Sequence, residues 1–138
     1  MSIITLVKGT RGTYAVDCLD NEVTKAVASF SKQLGINRHK LLLEVIVSKS
    51  TMTPLGNSGD CLAVNRKQFE IGIALYSDWL LTLAHEMVHV KQFVRRELDL
   101  NCMTWKGKRI LTEDYMKMPH EREAFKLQRK LVTGYTGE

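Results

Sequence analysis

Apolar residues recur along the chain in two periods, and each period predicts a different kind of element. The first helical run is apolar on one face, at Val23, Ala26, Val27, Phe30 and Leu34. A spacing of three and four residues is typical of an amphipathic helix. Asp20-Asn21 provides an N-cap ahead of this run, and Gly35 is a natural place for the helix to end.

Four shorter segments have the composition or the alternation of strands. Leu41–Val47 is rich in Leu, Val and Ile and has the length of one strand. Ser2–Val7 and Cys61–Val64 are also apolar. The first could be a strand or an ordered arm, and the second could form a short strand. Phe69–Leu75 alternates between apolar and other residues, which predicts a strand with one buried face.

Two more helices complete the pattern. One begins after a cap at Ser77 or Asp78 and is apolar almost all round, so we expect it in the middle of the fold. The last helix has Pro119 at its first position, continues to about Val132 and ends before Gly134. Together these elements predict a small α+β fold in a single domain, residues 1–138.

Composition narrows the class of protein. Apolar residues make up 44% and charged residues 25% of the chain, as in ordinary soluble domains. No apolar run is long enough to span a membrane, and the N-terminus lacks the pattern of a signal peptide. We therefore expect a cytoplasmic protein. Cys18, Cys61 and Cys102 are few and widely spaced, which argues against a disulfide framework or a cysteine zinc site.

The chain is basic, with a formal net charge of +5. Small clusters at Arg95-Arg96, Lys106–Arg109 and Lys126–Lys130 could favour nucleic acid or an acidic substrate. A solvated surface with a basic bias explains the same charge. Because no nucleic-acid-binding motif decides between the two, nucleic acid stays an open and unproven partner.

The segment His85-Glu86-Met87-Val88-His89 carries the most specific chemistry in the chain. On a helix, His85 and His89 lie on one face one turn apart, where two imidazoles can bind one zinc ion. Glu86 is then close enough to remove a proton from a metal-activated water without being a ligand. A chance copy of this motif would favour a polar surface, whereas this one lies on the most apolar helix.

A catalytic zinc site usually has a third protein ligand, and the start of the last helix offers His120, Glu121 and Glu123. On a helical wheel, Glu121 lies about 40° from the centre of the apolar face, His120 about 60° and Glu123 about 120°. Glu121 is therefore our choice, with His120 second and Glu123 third. Ala124 lies one turn beyond Glu121, and its small side chain would let the helix that carries His85 and His89 pack close.

Two stretches together carry a resemblance to a known family. Thr82–Gln92, followed by Pro119–Phe125, resembles the gluzincin type of zincin metallopeptidase. The chain is especially similar to the very small SprT-like and minimal gluzincin proteins, many of them encoded by phages and bacteria. The spacing of Glu121 and Ala124 resembles the third-ligand helix of several gluzincin families.

The resemblance implies a zincin-like fold, in which an N-terminal helix packs on a short twisted sheet beside the metal helix and the third-ligand helix. It also implies that an edge strand before the metal helix pairs with an extended peptide or protein substrate. Here that strand would be Phe69–Leu75. Tyr115, Tyr76 or His120 could hydrogen-bond the oxyanion, as a side chain does in related enzymes.

These observations predict a zinc metalloendopeptidase in which His85, His89 and Glu121 bind Zn²⁺ and Glu86 is the general base for a zinc-activated water. Gln92 lies on the same helix face as His85, so it could support a ligand from behind or line the cleft. The alternative is a zinc-binding regulatory or DNA-associated module that keeps the fold without cleaving peptides. The retained Glu86 speaks against this alternative, because a structural site needs no base.

Overall fold

The computed structural model describes residues 3–9, 20–48, 52–53, 56–76 and 78–135. In chain order its elements are β1 (Ile3–Gly9), α1 (Asp20–Gln33), β2 (Leu41–Ser48), β3 (Gly59–Asn65), β4 (Gln68–Ala74), α2 (Trp79–Val94), β5 (Thr104–Trp105), β6 (Lys108–Arg109) and α3 (Pro119–Thr133). This order confirms the predicted α+β class. Ser77, one of the two predicted helix caps, and Cys18 lie outside the described residues.

Four strands form one mixed sheet in the order β1-β2-β4-β3. The first three pair in parallel, and β3 pairs antiparallel to β4. The prediction that Phe69–Leu75 is an edge strand is therefore wrong, because β4 lies between β2 and β3. The edge on this side is β3, which the sequence predicted only as the shorter segment Cys61–Val64.

The reason for this error is physical. Alternation along Phe69–Leu75 reports that one face of the strand is buried, and Phe69, Ile71 and Ile73 are indeed fully buried there. It does not report how many neighbours the strand has. That number depends on the turn at Arg66-Lys67, which folds β3 back onto β4 as a hairpin.

Helices α1 and α2 pack on the sheet and on each other. Their buried side chains join those of β2 and β4 in a single apolar cluster that includes Phe30, Leu43, Phe69 and Met87. Helix α2 begins after Asp78, whose carboxylate accepts a hydrogen bond from the backbone N–H of Leu81 at 3.3 Å. Its residues 83–90 are all buried, as expected for the most apolar helix. None of the helices in the described ranges is long and apolar enough to cross a membrane.

Gly59 fixes how closely β3 approaches α2. A Cβ atom at this position would collide with the Thr82 side chain and would lie 3.2 Å from Glu86 Oε2. Only a residue without a side chain permits this contact. The close approach brings the beginning of the edge strand beside the motif on α2.

Candidate metal centre

Helix α2 carries His85, Glu86 and His89, and all three side chains lie in the interior of the protein. Each of the three residues is about 6% exposed. Burial of three such groups is costly unless partners or a bound ion satisfy them. Their partners come mainly from α3, which packs along α2.

Helix α3 contributes Glu121 from its first turn. Pro119 occupies the start of the helix, where its missing N–H costs nothing, and Ala124 is fully buried against α2. Glu121 Oε1 lies 3.0 Å from His85 Nε2 and 3.2 Å from His89 Nε2. Among the described residues, these three form the one group whose ligand atoms, all within 4.8 Å of one another, could hold a metal ion.

The two alternative third ligands occupy other positions. His120 is buried, and its Nε2 is 3.6 Å from Glu121 Oε2, on the far side of that carboxylate. Glu123 forms an ion pair with Lys91 at 3.0 Å. Neither residue belongs to the group that could hold an ion in the described part of the chain.

Two glutamine side chains determine which nitrogen of each histidine faces Glu121. Gln92 Oε1 lies 2.8 Å from His89 Nδ1, and Gln128 Oε1 lies 2.8 Å from His85 Nδ1. Gln92 is fully buried, and its Nε2 donates to the carbonyl of His120 and to Glu123. Its amide can therefore have only this orientation, and it makes Nδ1 of His89 the protonated nitrogen.

The hydrogen bonds between the two glutamines and the histidines bear on whether a metal ion fits between the ligand atoms. With Nδ1–H donating to an amide oxygen, Nε2 of a neutral histidine carries a lone pair. Two such lone pairs and a carboxylate oxygen then face one another at about hydrogen-bond distance, which is unfavourable without a cation between them. Two imidazole nitrogens and one carboxylate are a donor set suited to a divalent transition metal. The residues therefore fit a metal ion.

The charges around His85, His89 and Glu121 favour a cation between the ligand atoms of these three side chains. Burial by itself would raise the pKa of Glu121, but its contacts with His85 and His89 hold that pKa well below its usual range. Burial would likewise lower the pKa of His89, whereas Glu121 and Glu86 raise it overall. The negative charge that favours a proton on Nε2 also attracts a metal cation, which competes for that position.

Glu86 does not belong to the group of possible ligands, and it faces β3. Burial raises the pKa of Glu86 to about 7, against the opposing effect of His89 and His85. Its side chain lines two cavities on either side of the site, of about 450 and 190 Å³. A carboxylate in this position can exchange protons with a molecule in either cavity.

Of the three tyrosine and histidine candidates for an oxyanion donor, Tyr115 lies nearest the cleft. It is in a short 3₁₀ turn, Tyr115–Lys117, and lines both cavities. Burial has the largest effect on the pKa of Tyr115, and a hydrogen bond with Glu121 has the next largest. Both raise this pKa, so the hydroxyl stays protonated. Tyr76 is 59% exposed and lines neither cavity, while His120 lines only the smaller one.

Two residues of the site were not predicted from the sequence. Gln128 lies one turn beyond Ala124, and the helical wheel that selected Glu121 places Gln128 only about 20° from it. That signal could have found the second glutamine. Gly59 gave no comparable signal, because its role depends on the approach of β3 to α2.

No protein-family model, no curated protein and no solved structure matches this chain. The resemblance to gluzincins therefore stays a prediction. Support for a metal site comes from the geometry of the side chains alone.

The choice of third ligand can be tested by amide substitution. Glu121→Gln removes the carboxylate that faces both imidazoles, so we expect zinc affinity to fall by more than about 100-fold, beyond the 10–100-fold typical of indirect partners. Glu123→Gln and His120→Asn should cost about tenfold or less. Competition with a chromogenic chelator, together with metal analysis, measures the three affinities. Normal zinc binding by Glu121→Gln would contradict the assignment.

The role of Gln128 can be tested separately from the ligands. Gln128→Leu leaves the Nδ1 of His85 without its acceptor, and we expect zinc affinity to fall roughly 10–100-fold. The matched control is Lys130→Gln, an exposed position on the same helix. Equal zinc affinity for both variants would mean that Gln128 does not orient His85.

Proposed function

We propose that this protein is a zinc-dependent metallopeptidase. The observation that carries the proposal is the buried group of His85, His89 and Glu121 with the carboxylate of Glu86 beside it, facing a cleft. Structural zinc sites are usually closed by four ligands, whereas catalytic sites have three and an accessible position. In the described residues three candidate ligands border two cavities, which favours a catalytic site.

The chain supplies a proton acceptor, Glu86, and a hydrogen-bond donor, Tyr115, that line the same two cavities beside the possible ligands. Bound zinc would supply Lewis acidity, which polarises a carbonyl group and acidifies water. Glu86 accepts the proton of the attacking water and delivers it to the leaving amine. The hydroxyl of Tyr115 donates a hydrogen bond to the carbonyl oxygen as negative charge develops there.

The substrate binds, in this proposal, along β3 rather than along β4. The sheet order leaves the outer edge of β3 without a neighbouring strand among the described residues. Its first residue, Gly59, lines both cavities. An extended peptide can add to such an edge through main-chain hydrogen bonds, which brings a scissile bond towards Glu86.

The general base is tested by Glu86→Gln, which keeps the shape of the side chain but cannot accept a proton. We expect zinc to remain bound and kcat for a peptide substrate to fall by roughly 10²–10⁴. Metal analysis and a fluorogenic peptide assay measure the two quantities. Glu113→Gln, at an exposed site, is the control. Hydrolysis by Glu86→Gln at the wild-type rate would contradict the mechanism.

The oxyanion donor is tested by Tyr115→Phe, which removes only the hydroxyl. We expect kcat to fall by roughly 10²–10³ while zinc affinity changes little. Tyr76→Phe makes the same chemical change outside the cleft and should leave kcat unaltered. If Tyr76→Phe lowers kcat and Tyr115→Phe does not, the assignment of the two tyrosines is reversed.

A further inference from the structure

Helix α3 has a basic stripe formed by Arg122, Lys126, Arg129 and Lys130. The two arginines lie on the side of the cleft, whereas Lys130 lines a separate cavity with Arg95. All four side chains are exposed. Within the described part of the chain, none of them forms an ion pair or a side-chain hydrogen bond. Glu123, the acidic residue between them in sequence, lies nearer to Lys126 and Lys130 than to the two arginines on the helix surface. It pairs with Lys91. Arg122 and Arg129 therefore have no ion-pair partner among the described residues.

The two arginines of the stripe are neighbours of a residue that lines the larger cavity. Phe125 and Gln128 line that cavity from α3. Arg122 and Arg129 are three residues before and four residues after Phe125, so they are its neighbours on the helix surface. On the wheel with Glu121 at 0°, Phe125 lies at about 40° and the two arginines at about 80–100°. Arg122 and Arg129 thus lie on the side of α3 that borders the cleft.

Among the described residues, no acidic group near the cleft forms an ion pair with Arg122 or Arg129. Glu86 and Glu121 belong to the site itself, and Asp60 lines only the smaller cavity. Asp114, which precedes Tyr115, accepts a hydrogen bond from the backbone N–H of Met116 at 3.1 Å. The larger cavity has no other charged side chain among its lining residues. A substrate that extends beyond it towards α3 therefore meets cations.

We propose that the substrate is an acidic peptide segment whose Asp or Glu side chains, on the α3 side of the scissile bond, pair with Arg122 and Arg129. This inference rests on the proposed function and adds its substrate class. Guanidinium groups bind carboxylates through paired hydrogen bonds, and Lys126 adds a further positive charge. Nucleic acid fits less well, because the stripe spans only about 12 Å and offers four cations, fewer than most phosphate-tracking surfaces.

The experiment compares fluorogenic peptides of one sequence in which Glu or Gln is placed at successive positions on each side of the cleaved bond. At low ionic strength we expect Glu on one side to raise kcat/KM about 3- to 10-fold over Gln, the range for two exposed ion pairs. The variant Arg122→Gln/Arg129→Gln should reduce this ratio to about one. The control Lys25→Gln/Lys32→Gln removes the same charge from exposed positions of α1 and should keep the ratio.

Binding provides a readout that does not need activity. Zinc-loaded Glu86→Gln should bind the Glu peptide more tightly than the Gln peptide by a similar factor, and added salt should weaken this preference. A preference in binding without cleavage by the wild type would contradict the peptidase while retaining the acidic-segment surface. Equal binding and cleavage of both peptides would overturn the inference. So would a loss of single-stranded oligonucleotide binding in the arginine variant with an unchanged peptide ratio.

Discussion

The contact between one carboxylate of α3 and two imidazoles of α2 is the interaction around which this protein is arranged. It places two histidines and two glutamates in an interior that would otherwise exclude them. Hydrogen bonds with Gln92 and Gln128 offset part of the cost of this burial, and a cation shared by the nitrogen and oxygen atoms would offset more of it. Ala124 and the apolar side chains of α2 belong to one packed cluster. This packing holds the two helices at the distance that a shared cation would need.

The two helices are also joined by contacts that need no metal. Gln92 donates to the carbonyl of His120 and to Glu123, and Lys91 pairs with Glu97 and Glu123. These bonds fix the register of α2 against α3 independently of an ion. They also orient the ring of His89, so one buried amide links the packing of the helices to the geometry of the site. A site held in this way is preorganised for its ligand.

The sheet contributes the other wall of the cleft. Because β3 folds back on β4 and lies at the edge, its beginning approaches α2 where Gly59 leaves room for Glu86. Glu86 is therefore enclosed between a helix and a strand edge, and the cleft passes between that edge and α3. A basic helix surface on one side and a free strand edge on the other are features that a peptide could use together.

The sequence by itself determined the three α-helices, their order and the group of His85, His89 and Glu121 that meets at the site. It could do so because helical periodicity reports which side chains share a face, and this was enough to select Glu121 over Glu123. Strand neighbours were different: the alternation of Phe69–Leu75 reports burial but not pairing, so the edge position of β3 came from the tertiary structure. The tertiary structure likewise decided that Tyr115 rather than Tyr76 lines the cleft. It also decided the partners of Gln92. Their contacts join segments far apart in the chain, and only the packing of α3 and β3 against α2 decided them.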